Sequence, residues 1–214
     1  MKLPDPPLLL ITDRTQADKP LVDVVTAALA AGCRWVSIRE KDLPAADQIA
    51  LAQRLLPVAR QFGACLTLHG DAKIASACDL DGVHLPAGAD AARARADMDA
   101  RKLIGCSIHV LSEAHALDAS VVDYAIAGPA YASASKPGYG PALGSTGLCA
   151  LATAASVPVI AVGGIAPRHV ADVIASGAAG IAVMGGVMRA SDPRVQIAAL
   201  LRALAAAKIQ PRGR

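Results

Sequence analysis

Short runs of apolar residues alternate along the chain with longer, alanine-rich segments whose apolar positions follow a helical period. Short apolar runs bounded by polar or glycine-rich positions are typical of strands that are buried on both faces of a parallel sheet. Eight such runs predict strands over Leu8–Thr12, Trp35–Ile38, Cys65–Leu68, Gly82–Leu85, Lys102–Ser107, Tyr124–Gly128, Val157–Val162 and Gly180–Met184.

Helical periodicity occupies most of the segments between these strands. We predict helices over Leu21–Ala31, Ala45–Phe62, Ala72–Cys78, Ser112–Ala119, Leu148–Ala155, Pro167–Ser176 and Asp192–Ala207. Ser112 is a suitable N-cap and Pro167 a suitable first helical residue. A long loop is expected from Pro129 to about Gly144.

This alternation predicts a closed (β/α)8 TIM barrel that forms one domain over residues 1–214. Residues 1–7 are expected to form an N-terminal extension and residues 208–214 a frayed tail. The alternative is an open, doubly wound sheet. That alternative is weakened because the segment 12–15, after the first strand, lacks the glycines of a dinucleotide-binding turn.

The composition narrows the class of partner. Hydrophobic residues make up 54% of the chain but aromatic residues only 2%, so aliphatic side chains must fill the core. A net charge of +3 is too small and scattered to indicate nucleic-acid binding. No apolar run is long enough for a membrane span or a signal peptide, so we expect a cytoplasmic protein without a membrane partner. The five cysteines form no C-x-x-C pair, which predicts reduced core residues.

Paired glycines follow the last two predicted strands. Gly163 and Gly164 come after the seventh strand, and Gly185 and Gly186 follow Met184 at the end of the eighth. Glycines allow backbone N–H groups to converge on an anion, and the loops after strands seven and eight are the recurrent phosphate site of these barrels. A phosphate site is therefore predicted, although such glycines can also serve turn geometry alone.

Cationic and hydroxyl side chains follow other strands. Arg39 and Lys41 follow the second strand and point the same way if strand alternation persists, which suits a diphosphate or a carboxylate. An exposed salt-bridge cluster is the alternative. Ser133, Ser135 and Lys136 lie in the long loop and could bind an oxyanion, or form an ordinary polar loop.

His109 and Ser107 follow the fifth strand. Ser107, together with His69 after the third strand and Met184 after the eighth, is a candidate substrate-binding residue. An imidazole can transfer a proton near neutral pH, so His109 is the candidate acid/base, with a structural role as the alternative. His69 and His84 end the third and fourth strands and could join His109 in a zinc site, but no supporting carboxylate or thiol spacing is present.

Together these motifs resemble the thiamine phosphate synthase/TenI family, in order and over essentially the whole chain. The motifs that carry the resemblance are Ile11–Asp13, Ile38–Asp42, Asp81–Leu85, Gly105–His109, Gly128–Pro129 with Ser133–Lys136, Val162–Ile165 and Gly180–Met184.

The resemblance implies a TIM barrel that binds a thiazole phosphate. The synthase joins this compound to a hydroxymethylpyrimidine diphosphate with Mg²⁺, whereas TenI proteins aromatise a thiazole carboxylate phosphate by moving a proton. It implies that the residues at the diphosphate end are Arg39, Lys41, Ser133, Ser135 and Lys136, and that the glycine pairs hold the thiazole phosphate. His109 would be the TenI acid/base, and a homodimer is possible.

Several positions depart from the synthase pattern. Ser37 replaces a glutamine, His69 and Gly70 replace an Asn-Asp pair, and Ala89 stands where a second carboxylate is expected. Asp71 and Asp90 are weak substitutes for these metal ligands. We therefore expect a TenI-like thiazole tautomerase without a cofactor. The alternatives are a synthase with a rearranged Mg²⁺ site and a non-catalytic barrel that binds thiamine precursors.

Overall fold

The computed structural model describes residues 2–132 and 141–209, with side chains as far as residue 207. Its eight parallel strands close into a barrel in sequence order, β1 to β8, as the sequence predicts. The strands span Leu8–Ile11, Trp35–Ile38, Cys65–His69, Gly82–Leu85, Leu103–Ile108, Tyr124–Ala127, Val159–Val162 and Gly180–Val183. The barrel closes where Leu8 and Leu10 of β1 pair with Ile181 and Val183 of β8.

Helices surround the barrel. Helices α1 to α9 span Leu21–Ala30, Ala45–Gln61, Ala72–Ala77, Ala91–Asp97, Leu111–His115, Gly144–Ala154, Val170–Ala175, Gly185–Met188 and Pro193–Ile209. Short 3₁₀ turns lie at Arg14–Gln16 and Pro167–His169. No described helix is long and apolar enough to cross a membrane. The last helix runs through Ile209, two residues into the segment for which a frayed tail is expected.

The helix boundaries differ from the prediction where local chemistry overrides the apolar period. The prediction missed α4, which Asp90 caps by accepting the amide of Arg93, and the short α8, whose two glycines are poor helix formers. Ser112 was wrongly predicted as an N-cap. The helix there starts at Leu111, because the Glu113 carboxylate accepts the amides of His109 and Val110.

Two apolar layers hold the barrel together. The larger layer packs the outer faces of the strands against the helices, and α9 packs against α1 and α7. A smaller cluster fills the barrel interior with Leu9, Ile11, Trp35, Leu103, Tyr124, Ile126, Ile160 and Ala182. The rings of Trp35 and Tyr124 meet edge to face at 4.8 Å, and both side chains are fully buried. These two aromatic rings fill the interior below the carboxyl ends of the strands.

Candidate functional site

A cavity of about 800 Å³ opens at the carboxyl ends of the strands. Its size lies in the range of small-molecule sites, and its place is the one that TIM-barrel enzymes use. The sequence-predicted site residues that line it are Arg39, Lys41, His69, Ser107, His109, Gly163, Gly164, Met184, Gly185 and Gly186. Ser133, Ser135 and Lys136 lie outside the described residues.

The two glycine pairs differ in the space around their Cα atoms. Gly164 has φ of +61°, and a Cβ there would lie 2.4 Å from the carbonyl oxygen of Ala132. This glycine is therefore needed to pack the turn after β7 against the loop after β6. A Cβ on Gly186 would meet no atom within 4 Å, although this residue lines the cavity. At Gly186 the absence of a side chain leaves space for a ligand, whereas at Gly164 it leaves space for the neighbouring loop.

The turn after β8 brings the first residues of a short helix, Gly185 and Gly186, to the cavity wall. The first bonds of α8 run from the amides of Val187 and Met188 to the carbonyl oxygen of Met184. The amides of Gly185 and Gly186 precede these bonds, and such leading N–H groups have no acceptor within their own helix. This turn offers hydrogen-bond donors where the sequence predicts an anion.

Arg39 and Lys41 lie on the cavity wall, while Glu40 between them turns away. The Glu40 carboxylate is 3% exposed and accepts the Thr12 hydroxyl at 2.7 Å and the Arg14 amide at 3.0 Å. It pairs with the Arg14 guanidinium, so the expected alternative of a local salt-bridge cluster does not use Arg39 or Lys41. Partial burial and the nearby charge of Arg39 lower the pKa of Lys41. Two cations therefore face the ligand space together.

The His109 imidazole is oriented by a backbone carbonyl. Its Nδ1 lies 2.8 Å from the carbonyl oxygen of Gly128, which can only accept a hydrogen bond. In the neutral ring the proton is therefore on Nδ1 and the basic lone pair on Nε2. This arrangement gives a half-buried base a defined tautomer at the edge of the cavity.

The site does not fit a magnesium ion. The described residues contain no cluster of three or more His, Cys, Asp or Glu side chains, and no carboxylate lines the described cavity wall. Asp71 and Asp90 instead cap α3 and α4, where they accept the amides of Lys73 and Arg93. The sequence of residues 133–140 contains no Asp, Glu, His or Cys. Magnesium prefers oxygen ligands, carboxylates above all, and no carboxylate lies among the described residues at this opening.

The polar residues of the cavity wall that were not predicted from the sequence include Arg189 and Gln196. Arg189 follows α8 and contacts Gln16 of the turn after β1. The missed α8 explains the omission, because this short helix is what brings Arg189 back toward the opening. His84 also lines the cavity, where it contacts Ser107 rather than a metal ligand set.

Comparisons with known proteins agree with this geometry. The sequence model of the TMP-TENI family, described as thiamine monophosphate synthase, matches residues 8–187. A putative thiamine-phosphate synthase of Geobacter sulfurreducens is 41% identical over 92% of this chain and 93% of its own length. A thiamine-phosphate synthase of a Roseiflexus species is 37% identical over 92% and 85%. The solved thiamine phosphate pyrophosphorylase of Pyrococcus furiosus is 28% identical, with a TM-score of 0.82 over 94% and 96%.

Proposed function

Since the chain belongs to the thiamine monophosphate synthase (TMP-TENI) family, we propose that it is a thiamine-phosphate synthase. It joins a thiazole phosphate to a hydroxymethylpyrimidine diphosphate and releases diphosphate. The observation that carries this proposal is the similarity, over about nine-tenths of the chain, to relatives that bear this name. The sequence motifs favour proton transfer, but the comparisons support the condensation better.

The cavity can separate the two anionic groups of this reaction. The thiazole phosphate lies at the turns after β7 and β8, whose glycine pairs line the cavity. The diphosphate lies at Arg39 and Lys41, on the wall formed by the end of β2. In the reaction the bond between the pyrimidine methylene carbon and the diphosphate oxygen breaks, and a bond from that carbon to the thiazole nitrogen forms.

Arg39 and Lys41 stabilise the negative charge that develops on the leaving diphosphate. Charge-assisted hydrogen bonds of this kind are roughly twice as strong as neutral ones. Because the described cavity wall contains no carboxylate, no step of this proposal uses a metal that the protein holds. The two cations supply the neutralisation directly.

A second candidate function is the tautomerase reaction on a thiazole carboxylate phosphate. One observation favours it: His109 presents a basic Nε2 at the edge of a cavity whose described wall has no carboxylate. In that reaction Nε2 removes a proton from the thiazole ring system and a proton returns at another ring atom. It needs the phosphate anchor and a base, and no diphosphate partner.

Product analysis of the purified chain distinguishes the two functions. With thiazole phosphate and hydroxymethylpyrimidine diphosphate, we expect thiamine phosphate and diphosphate to appear in equal amounts, measured by chromatography. Arg39→Gln should lower this rate by a factor of about 10 or more, since one charge-assisted bond contributes about 1.5–3 kcal/mol.

Conversion of the thiazole carboxylate phosphate without any condensation would replace the first function by the second. Absence of both reactions, in a protein that still binds thiazole phosphate, would leave a non-catalytic barrel for thiamine precursors.

A further inference from the structure

A row of four residues crosses the barrel at one level. His69, His84, Gly105 and Tyr124 are register partners on β3, β4, β5 and β6, so their side-chain positions face the same side of the sheet. A Cβ on Gly105 would lie 2.1 Å from Cζ of Tyr124. The missing side chain therefore lets the Tyr124 ring pass over β5 and reach His84.

The His84 imidazole is held between two rings. The centroid of Tyr124 lies 5.6 Å away at an interplanar angle of 30°, and that of His69 lies 4.8 Å away at 55°. The side chain of His84 is 1% exposed. Its orientation is thus fixed by packing, and its two nitrogens point in set directions.

The two nitrogens of His84 have different surroundings. Nε2 lies 2.9 Å from Oγ of Ser107, which is two residues beyond Gly105 on β5 and lines the cavity. Nδ1 is buried and has no hydrogen-bond partner among the described residues. Burial, together with the positive charge of Lys41, lowers the pKa of His84 to about 3, so the ring is neutral at working pH.

A neutral imidazole carries one proton, and the surroundings decide its place. If Nδ1 carried it, a buried N–H donor would have no acceptor, and such orphaned donors are rarer in proteins than orphaned acceptors. If Nε2 carries it, the proton is used in the bond to Ser107, and Nδ1 remains as a bare acceptor.

From this geometry we propose that His84 is a positioning residue for Ser107. Its Nε2–H donates to Oγ of Ser107, so the Ser107 hydroxyl directs its own proton into the cavity. Ser107 then acts as a hydrogen-bond donor to an acceptor atom of the ligand, such as a ring nitrogen or a carboxylate oxygen. His84 touches no reacting atom and acts through Ser107.

The tautomer can be tested without any ligand or activity, so this test is independent of the proposed function. In protein labelled with ¹⁵N-histidine, we expect the His84 signals of a protonated Nε2 and an unprotonated Nδ1, unchanged between about pH 5 and 9. The exposed His115 provides a second histidine signal for comparison. A protonated Nδ1, or a His84 signal that titrates in this range, would overturn the proposal.

The effect on the ligand side rests on the proposed function and is measured with thiamine phosphate by calorimetry. We expect Ser107→Ala and His84→Phe each to weaken binding about tenfold, the scale of one neutral hydrogen bond. The double variant should be no weaker than either single variant, because both remove the same interaction. Additive losses would contradict the positioning role.

Two further variants separate positioning from packing. His84→Gln retains an N–H donor and should restore most of the affinity that His84→Phe loses. Tyr124→Phe keeps the ring that packs on His84 and removes only a buried hydroxyl, so we expect unchanged affinity. Loss of affinity in Tyr124→Phe equal to that in His84→Phe would show that the row acts only as packing.

Discussion

The glycines of the two turns respond differently to a side chain. Any substitution at Gly164 meets the Ala132 carbonyl and a positive φ, so it tests folding as much as binding. Gly186 is exposed toward the cavity with open space around its Cβ position. Gly186 is therefore the position at which the proposed phosphate site can be tested without disturbing the turn.

We expect Gly186→Val to weaken thiazole phosphate binding by at least about 1–3 kcal/mol, because the side chain blocks the backbone amides that the phosphate would reach. Calorimetry measures the loss, and the melting temperature should change little. Ala190→Val adds similar bulk beyond α8, outside the cavity wall, and should bind normally. Unchanged affinity of Gly186→Val would remove the phosphate from this turn.

The proposed role of His109 in proton transfer can be tested with a single substitution. His109→Asn retains a donor for the Gly128 carbonyl but has no basic nitrogen. If the tautomerase reaction occurs, this variant should lose about 10²–10⁴ in turnover with substrate affinity near normal. Under the condensation, which removes no ring proton, turnover should fall far less. Parallel assays of both reactions in wild type and variant decide between these outcomes.

At the scale of secondary-structure elements, one ion-pair device recurs at the amino ends of the strands: an aspartate accepts the amide of a neighbouring strand and pairs with an arginine of a helix. Asp123 precedes β6, accepts the Ile104 amide of β5 and pairs with Arg95 of α4 at 2.7 Å. Asp81 precedes β4 in the same way and accepts the Leu66 amide while pairing with Arg60. Each device joins a helix to two neighbouring strands at the end of the barrel opposite the cavity.

The Arg95 device should contribute measurably to stability, since its side chains are 19% and 12% exposed. We expect Arg95→Ala to lower the free energy of unfolding by about 2–4 kcal/mol, because the largely buried Asp123 carboxylate loses the guanidinium that neutralises it. Arg101→Ala removes a pair that is 89% and 46% exposed, and should cost less than about 1 kcal/mol. Equal losses in denaturant titrations would contradict this assignment.

The elements also show what the sequence can and cannot predict. All eight strands were predictable, because each is a short apolar run that the barrel buries on both faces. Helix α8 was not, since Gly185 and Gly186 disfavour helix and only tertiary packing stabilises it. The cavity wall was predictable at strand ends such as Arg39 and His109. Arg189 follows α8 and Gln196 lies on α9, and the sequence pattern does not reveal that these positions face the cavity.

At the scale of the whole molecule, the neutral His84 in the barrel interior makes stability depend on pH. Its folded pKa of about 3 lies below the value of about 6.5 for an unperturbed histidine. Between these two values the unfolded chain binds more protons than the folded chain. The free energy of unfolding therefore falls as pH decreases from about 6.5, by up to about 1.4 kcal/mol per pH unit.

Denaturant titrations at pH 7 and pH 5 measure this slope. The aspartates with lowered pKa values, such as Asp42 and Asp99, lose their contribution only below about pH 4 and do not interfere. His84→Gln cannot be protonated in the unfolded chain and should flatten the dependence. His115→Gln removes an exposed histidine and is the matched control, and a slope that survives in His84→Gln would refute the assignment.

The edge-to-face pair of Trp35 and Tyr124 fills the barrel interior beneath the cavity, so the cavity is closed on that side. In the described part of the chain, molecules therefore enter and leave the cavity at the rim formed by the carboxyl ends of the strands. Under the proposed condensation, two substrates bind and two products dissociate through this rim, so a molecule bound near the rim blocks one that is bound deeper. The product bound deeper in the cavity dissociates after the product bound nearer the rim, so we expect ordered product release.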